Sequence, residues 1–179
     1  MSAISQFKRV AAICLAWVFL CTSIFSQTSP EEARLKFFGG LYNYRVWSEE
    51  DLGRSGVKYL LILGDDTLYR QLVALPTIQN NDKVKVSNDP ALAERTKPHM
   101  VFFGSEATSE HLDLLKTLPK TGVITIGEQS NFIDLGGVFQ LNLLSLPGPE
   151  GLVYNRKALE RRKVQYKAIF LTRWKAVNK

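Results

Sequence analysis

The sequence predicts an α/β fold: a single-domain layered sandwich with a mostly parallel sheet, a C-terminal antiparallel hairpin and a long C-terminal helix. Three short apolar runs, at residues 57–63, Met100–Phe103 and 123–126, have the length and composition of buried strands. Segments with helical features separate these runs. Strands that alternate with helices favour a parallel sheet that is covered on both faces.

The first helix is predicted to begin at Pro30, since Ser29 can cap its first turn and Glu32 can complete a capping box. Gly39 and Gly40 follow in the middle of this helix. A glycine inside a helix costs about 1 kcal/mol relative to alanine. The pair therefore indicates close packing against a neighbouring element or a break in the helix.

Three further helices are predicted between the strands. One covers residues 67–75 with Asp66 as its cap, a short one covers residues 90–95, and the third begins after Thr108 or Ser109. Each lies between two strand predictions, as the α/β pattern requires.

The remaining strand signals predict the two sides of the sheet. Alternating Lys and Val residues at 83–87 are typical of an exposed edge strand. Apolar and polar residues alternate at 139–143, and Leu152–Asn155 is expected to pair back on that strand. This hairpin would make the sheet mixed.

The C-terminal segment, residues 156–177, predicts a long basic helix. The apolar residues that would share one stripe of it are Leu159, Tyr166, Phe170, Trp174 and Val177. From residue 156 onward the chain has nine cations against Glu160 alone, within a formal net charge of +6. The cationic face is either solvated surface or a docking face for an acidic partner or anionic lipid head groups. The docking residues predicted on it are Arg161, Arg162, Lys163 and Lys167.

Residues 1–26 have the features of a secretory signal peptide. Lys8 and Arg9 form the positive start, residues 10–20 are apolar and uncharged, and Ser26 offers a small residue at the cleavage position. An uncleaved membrane anchor is the competing interpretation, but a spanning helix needs about twenty apolar residues. We therefore expect export to the periplasm, where nucleic acid is not a partner.

Cleavage would leave one domain, residues 27–179, and would remove both cysteines, Cys14 and Cys21. The mature chain could then form no disulfide and offer no thiolate. His99 and His111 alone are a thin set of metal ligands. We therefore expect no metal site, no cofactor and no catalytic residues.

Polar residues follow each of the three buried strands. Because the carboxyl ends of parallel strands meet at one edge of a sheet, these residues form a candidate ligand site suited to a cation or an amine. The alternative, which we favour, is that they are helix caps and strand-end turns. The candidate ligand-binding residues are Asp65, Asp66, Ser105, Glu106, Glu128 and Ser130.

The stretch 121–143 resembles the YfiR-like domain family, in which a strand, a polar turn to a Phe and a Gly-Gly pair precede another strand. The matching residues here are Ile126, Gly127, Glu128, Phe132, Gly136, Gly137 and 138–142. The resemblance spans roughly Leu35 to Val177, where the matching segments occur in the order and with the spacing of the family. Family members often have disulfide-forming cysteines, which the mature chain would lack.

The resemblance implies a non-enzymatic periplasmic regulator, often dimeric, that binds the periplasmic part of a membrane signalling enzyme and represses it. That enzyme would be a diguanylate cyclase or a sensor kinase, and the regulator itself could be a homodimer. A small-ligand sensor or carrier that uses the acidic strand ends is the main alternative. A hydrolase with Asp65 and Glu128 as paired carboxylates is the third hypothesis.

Cleavage after Ser26 can be checked directly. The charged start, the short apolar run and the small residue before Gln27 predict a mature protein that begins at or within a few residues of Gln27. Mass spectrometry of the protein expressed in a Gram-negative host would identify this terminus. Retention of Met1, or a lipid on Cys21, would contradict the prediction.

Overall fold

The computed structural model describes residues 30–48, 56–142, 151–172 and 174–178. The predicted signal peptide and residues 143–150, between the last two predicted strands, lie outside the described residues. The helices in chain order are α1 (Pro30–Tyr44), α2 (Asp66–Ala74), α3 (Pro76–Gln79), α4 (Leu92–Arg95), α5 (Ser109–Thr117), α6 (Arg156–Arg161) and α7 (Ala168–Leu171). The strands are β1 (Arg45–Val46), β2 (Lys58–Leu63), β3 (Val84–Ser87), β4 (Met100–Phe103), β5 (Ile124–Gly127), β6 (Phe139–Leu141), β7 (Leu152–Asn155), β8 (Gln165–Tyr166) and β9 (Lys175–Val177).

Seven of these strands form one sheet in the order β3-β2-β4-β5-β6-β7-β9. All neighbouring pairs are parallel except β6 and β7, which are antiparallel. The predicted α/β fold, its mostly parallel sheet and its antiparallel hairpin are therefore confirmed. Strands β1 and β8 form a separate antiparallel pair. No helix in the described part of the chain is long and apolar enough to cross a membrane.

Both faces of the sheet are covered, and successive residues of the central strands alternate between two cores. Ile62 and Phe102 point to the core that α1 and the C-terminal segment cover, while Leu63 and Phe103 point to the opposite core. Apolar side chains from α4 and α5 pack on the second core. Burial on both faces explains why the central strands are continuous apolar runs.

The predicted long C-terminal helix is wrong. Helix α6 ends at Arg161, and Lys163 has a φ of 54°, a left-handed conformation that an α-helix cannot contain. The chain then pairs with β1, because Tyr166 lies opposite Arg45 and the Lys167 amide donates to the Tyr44 carbonyl at 2.9 Å. The pairing of β8 with β1 therefore prevails over the helical spacing of the apolar residues in this segment.

The aromatic residues of this segment are nevertheless buried, as a stripe on a helix would have been. Phe170 and Trp174 pack against Phe139 of β6, and the Trp174 ring lies 4.7 Å from the Phe139 ring. The Phe170 ring also covers Gly40, where an added Cβ would be 3.3 Å from it. Helix α1 therefore continues through the glycine pair, and close packing explains Gly40.

Two helix caps correct or refine the sequence prediction. Asp65, one residue before the predicted cap Asp66, caps α2, since its Oδ1 accepts a 2.8 Å hydrogen bond from the Leu68 amide. Thr108 caps α5, and His111 completes a capping box with it.

His99 is buried, and its Nδ1 accepts a hydrogen bond from the Tyr59 amide at 3.0 Å.

The turn between β5 and β6 is built around the buried ring of Phe132. An added Cβ on Gly127 or on Gly137 would lie 2.2 Å from a carbon of this ring. Such a distance is impossible for real atoms, so the ring can occupy its position only because both neighbours are glycines. This contact gives a physical reason for Gly127, Phe132 and Gly137 in the stretch that resembles the YfiR-like family.

Two buried arginines bind carbonyls near the amino ends of the central strands. Arg45 donates to the His99 and Gly122 carbonyls, both at 2.8 Å. Arg162 donates to the Pro119 carbonyl at 3.1 Å and to the Val123 carbonyl at 3.3 Å. Burial lowers the pKa of Arg162, and the neighbouring charge of Arg161 adds to that effect. Arg162 is thus a structural residue.

Arg162 and its neighbour offer a matched pair of substitutions. Arg162→Met should lower the free energy of unfolding by about 2 kcal/mol, because it leaves two carbonyls without their donor. Arg161→Met, at the exposed adjacent position, should change it by about 0.5 kcal/mol or less. Urea unfolding of the two variants checks this. Equal effects would contradict the structural role of Arg162.

Candidate functional site

The carboxyl ends of β2, β4 and β5 meet at one edge of the sheet, as the parallel order predicts. Each strand is followed by a glycine or ends on one, at Gly64, Gly104 and Gly127. A Cβ on Gly104 would lie 2.3 Å from the Gly64 carbonyl oxygen, so these two turns are in direct contact. This close approach brings the polar residues that follow the strands together.

Arg34 of α1 lies between the two carboxylates at this edge. Its Nη1 donates to Asp65 Oδ2 at 3.0 Å, and its Nη2 donates to Glu128 Oε2 at 3.3 Å. Its Nε lies 2.7 Å from Glu128 Oε1, an ion-pair contact without hydrogen-bond alignment. The three residues are called the Arg34 bridge below.

The bridge is largely removed from water. The side chain of Glu128 is only 2% exposed, compared with 10% for Asp65 and 16% for Arg34. Burial raises the pKa of Glu128, Arg34 opposes this rise, and the nearby charge of Asp65 reinforces it. One guanidinium therefore compensates two carboxylates that would otherwise repel each other at low dielectric.

Each acid also accepts a hydrogen bond from a backbone amide. The Ser105 amide donates to Glu128 Oε2 at 3.0 Å, while Asp65 accepts from the Leu68 amide as the cap of α2. The Gln129 side chain donates to the Gly104 carbonyl at 2.6 Å and ties the β5 turn to the β4 turn. These contacts fix the positions of Asp65 and Glu128.

The other predicted ligand residues do not join the bridge. Asp66 is exposed and accepts a 3.3 Å hydrogen bond from Asn88, and Glu106 is exposed on the β4 turn. Ser130 is also exposed, and its carbonyl accepts a hydrogen bond from the Gln140 side chain at 3.0 Å. The structure thus brings together only Asp65, Glu128 and the Ser105 backbone from the predicted set.

The sequence prediction missed Arg34, although it expected the acids to suit a cation. The chain itself supplies that cation, so the position expected for an external cation or amine is occupied. A signal for it was available: acids that meet at one sheet edge need a compensating charge when they are buried. Within the described residues, no group of His, Cys, Asp and Glu side chains could hold a metal ion.

The second predicted site, on the C-terminal segment, is only partly on the surface. Arg161, Lys163 and Lys167 are exposed, and these three residues are called the basic segment below. Arg162 is only 8% exposed and is engaged with backbone carbonyls, so its prediction as a docking residue is wrong. The missing long helix explains this error, because a continuous helix would have placed all four cations differently.

The family model of YfiR/HmsC-like domains matches residues 31–171, which is most of the chain. The chain belongs to the YfiR/HmsC-like family. The match contains the Phe132 packing between its two glycines, the Arg34 bridge and the basic segment. No curated protein matches the chain. The resemblance inferred from the residues around Phe132 is therefore confirmed at the level of the family.

The Arg34 bridge should matter for stability. Arg34→Met would leave two nearby carboxylates without their shared cation, and we expect it to lower the free energy of unfolding by about 3 kcal/mol. Arg95→Met is the matched control, because it removes an exposed ion pair with Asp89 and should cost about 0.5 kcal/mol. Urea unfolding measures both. A loss no larger for Arg34→Met than for the control would contradict the account.

Proposed function

We propose that this protein is a periplasmic regulator that binds the periplasmic part of a membrane signalling enzyme and represses it. The enzyme class that family membership favours is the diguanylate cyclase, with a sensor kinase as the other candidate. The family match over residues 31–171 is the observation that carries this proposal. Members of this family are generally regulators without an enzymatic activity of their own.

The geometry at the strand ends argues against a catalytic role for Asp65 and Glu128. The two acids that could have acted as a general acid and base share one guanidinium and accept backbone hydrogen bonds. A general acid or base must instead reach a substrate proton. The Arg34 bridge is better explained as the support that holds the strand-end turns.

The basic segment is the surface we propose for the partner. Arg161, Lys163 and Lys167 lie at the end of α6 and on both sides of β8, and all three are exposed. Arg156 and Lys157 add exposed positive charge at the start of α6. Such a concentration of one sign complements an acidic surface and accelerates encounter with it.

A charge-reversal experiment tests the proposed surface. Arg161, Lys163 and Lys167 are changed together to Glu, and the variant is compared with the parent for binding to the detergent-solubilised membrane fraction that contains the cyclase. We expect binding to weaken at least about tenfold at low salt, and parent binding to weaken as salt increases. Stability should change little because the three residues are exposed.

The matched control reverses Lys83, Lys85 and Lys97, which are exposed elsewhere on the domain and carry the same total charge. Equal weakening by both triple variants would show that only net charge matters, and would contradict the assignment of the basic segment. Parent protein that fails to bind the cyclase or to lower its activity would contradict the proposed function. Binding to anionic vesicles alone would indicate a lipid surface in place of the protein partner.

A further inference from the structure

A cavity of about 290 Å³ lies between α1, the α2–α3 segment and strands β2 and β3. Leu35, Phe38 and Tyr42 line it from α1. Leu72, Ile78 and Val84 line it from the other side. It is separate from the Arg34 bridge and from the basic segment, since none of their residues lines it.

The chemistry of the lining is mostly apolar and carries no charge. None of the described residues that line the cavity is an acid, a lysine or an arginine. The polar side chains are Tyr42, Asn43, Thr77 and Asn81. The Tyr42 hydroxyl accepts a hydrogen bond from Lys58 Nζ at 3.1 Å, and Asn43 and Thr77 are exposed to solvent. An apolar body with a few polar groups is the usual composition of a small-molecule site.

Gly39 gives this cavity its second distinguishing feature. It is a helical glycine that lines the cavity, and an added Cβ would meet no other atom within 4 Å. Packing explains its neighbour Gly40, which lies under Phe170, but it does not explain Gly39. A glycine in a helix is destabilising relative to alanine. Gly39 therefore lowers the stability of α1, and no close packing contact accounts for it.

We infer that this cavity is a binding site for a small uncharged molecule with a flat apolar ring and one hydrogen-bonding group. The volume is at the lower end of the range for small-molecule sites and suits one ring system. Phe38 and Tyr42, one helical turn apart, contribute aromatic carbon to the cavity wall, while their rings also contact Phe102 and Trp47 respectively. A charged ligand would lose its hydration without gaining a partner in the lining.

The inference goes beyond the proposed function, and its test does not depend on it. The probe is 1-naphthol, which is flat, uncharged at neutral pH and has one hydroxyl group. Its matched control is 1-naphthoate, which has the same ring system and a negative charge. Isothermal titration calorimetry should show saturable binding of 1-naphthol at one site and at least about tenfold weaker binding of 1-naphthoate.

Two substitutions of Gly39 locate that binding. Gly39→Leu adds a side chain in the open space and should abolish 1-naphthol binding. Gly39→Ala also raises the helix propensity at this position but adds only a methyl group. Its affinity for 1-naphthol should therefore change less than about threefold. Both variants should unfold at a temperature about 3 °C higher than the parent, because alanine and leucine favour the helix over glycine.

Nuclear magnetic resonance provides a readout that needs no variant. The methyl groups of Leu35, Leu72 and Ile78 should shift on titration with 1-naphthol, while those of Leu112 and Leu115 in the opposite core should not. Absence of binding by the parent would overturn the inference, as would binding that Gly39→Leu leaves intact.

Discussion

The ring of Phe132 fits between Gly127 and Gly137, and the geometry of the strand-end region depends on this contact. An added Cβ on either glycine would overlap the ring, so both positions in the turn between β5 and β6 require glycine while the ring is in place. The turn is closed by hydrogen bonds from the Phe132 amide to the Gln129 carbonyl and from the Gly137 amide to the Phe132 carbonyl, both at 3.0 Å. Glu128 and β6 lie at its two ends, so the ring positions both.

The Arg34 bridge follows from that position. Glu128 is held against the β4 turn by the Ser105 amide, and Asp65 is held by its role as the cap of α2. Two fixed, mostly buried acids need a cation, and α1 supplies Arg34. Helix α1 is thereby tied to the sheet edge, while its Phe38 and Leu41 pack in the core that the C-terminal segment also covers. The apolar cavity on α1 depends on this placement of the helix.

The sequence predicts the sheet well because its central strands are buried on both faces. Such strands read as continuous apolar runs, and the glycines and prolines between them mark the turns. The C-terminal segment could not be predicted in the same way. Tyr166, Phe170 and Trp174 are spaced four residues apart, which is a helical period, yet Lys163 adopts a left-handed conformation and Tyr166 joins a strand. The strand pairings with Arg45 and with β7, both outside this segment, accompany the non-helical structure.

The candidate sites were also only partly predictable, because they too depend on contacts between residues far apart in the sequence. The acids Asp65 and Glu128 could be placed at one edge from the parallel order alone, but their partner Arg34 lies far away in sequence on another element. The sequence pattern does not distinguish the neighbouring residues Arg161 and Arg162. In the fold, Arg161 is exposed, whereas Arg162 is buried and donates to backbone carbonyls. Burial of a single side chain depends on tertiary packing, which local patterns do not encode.

A double-mutant cycle between Gly127 and Phe132 tests the central claim most directly. The three nearest atoms to a Cβ on Gly127 all belong to the Phe132 ring, so the ring alone should make Gly127→Ala costly. We expect a loss of about 2 kcal/mol in the parent and almost none in the Phe132→Ala background, where the ring is absent. Phe132→Ala itself should cost about 3–5 kcal/mol. If the two losses simply add, the ring does not determine the need for glycine, and the account is wrong.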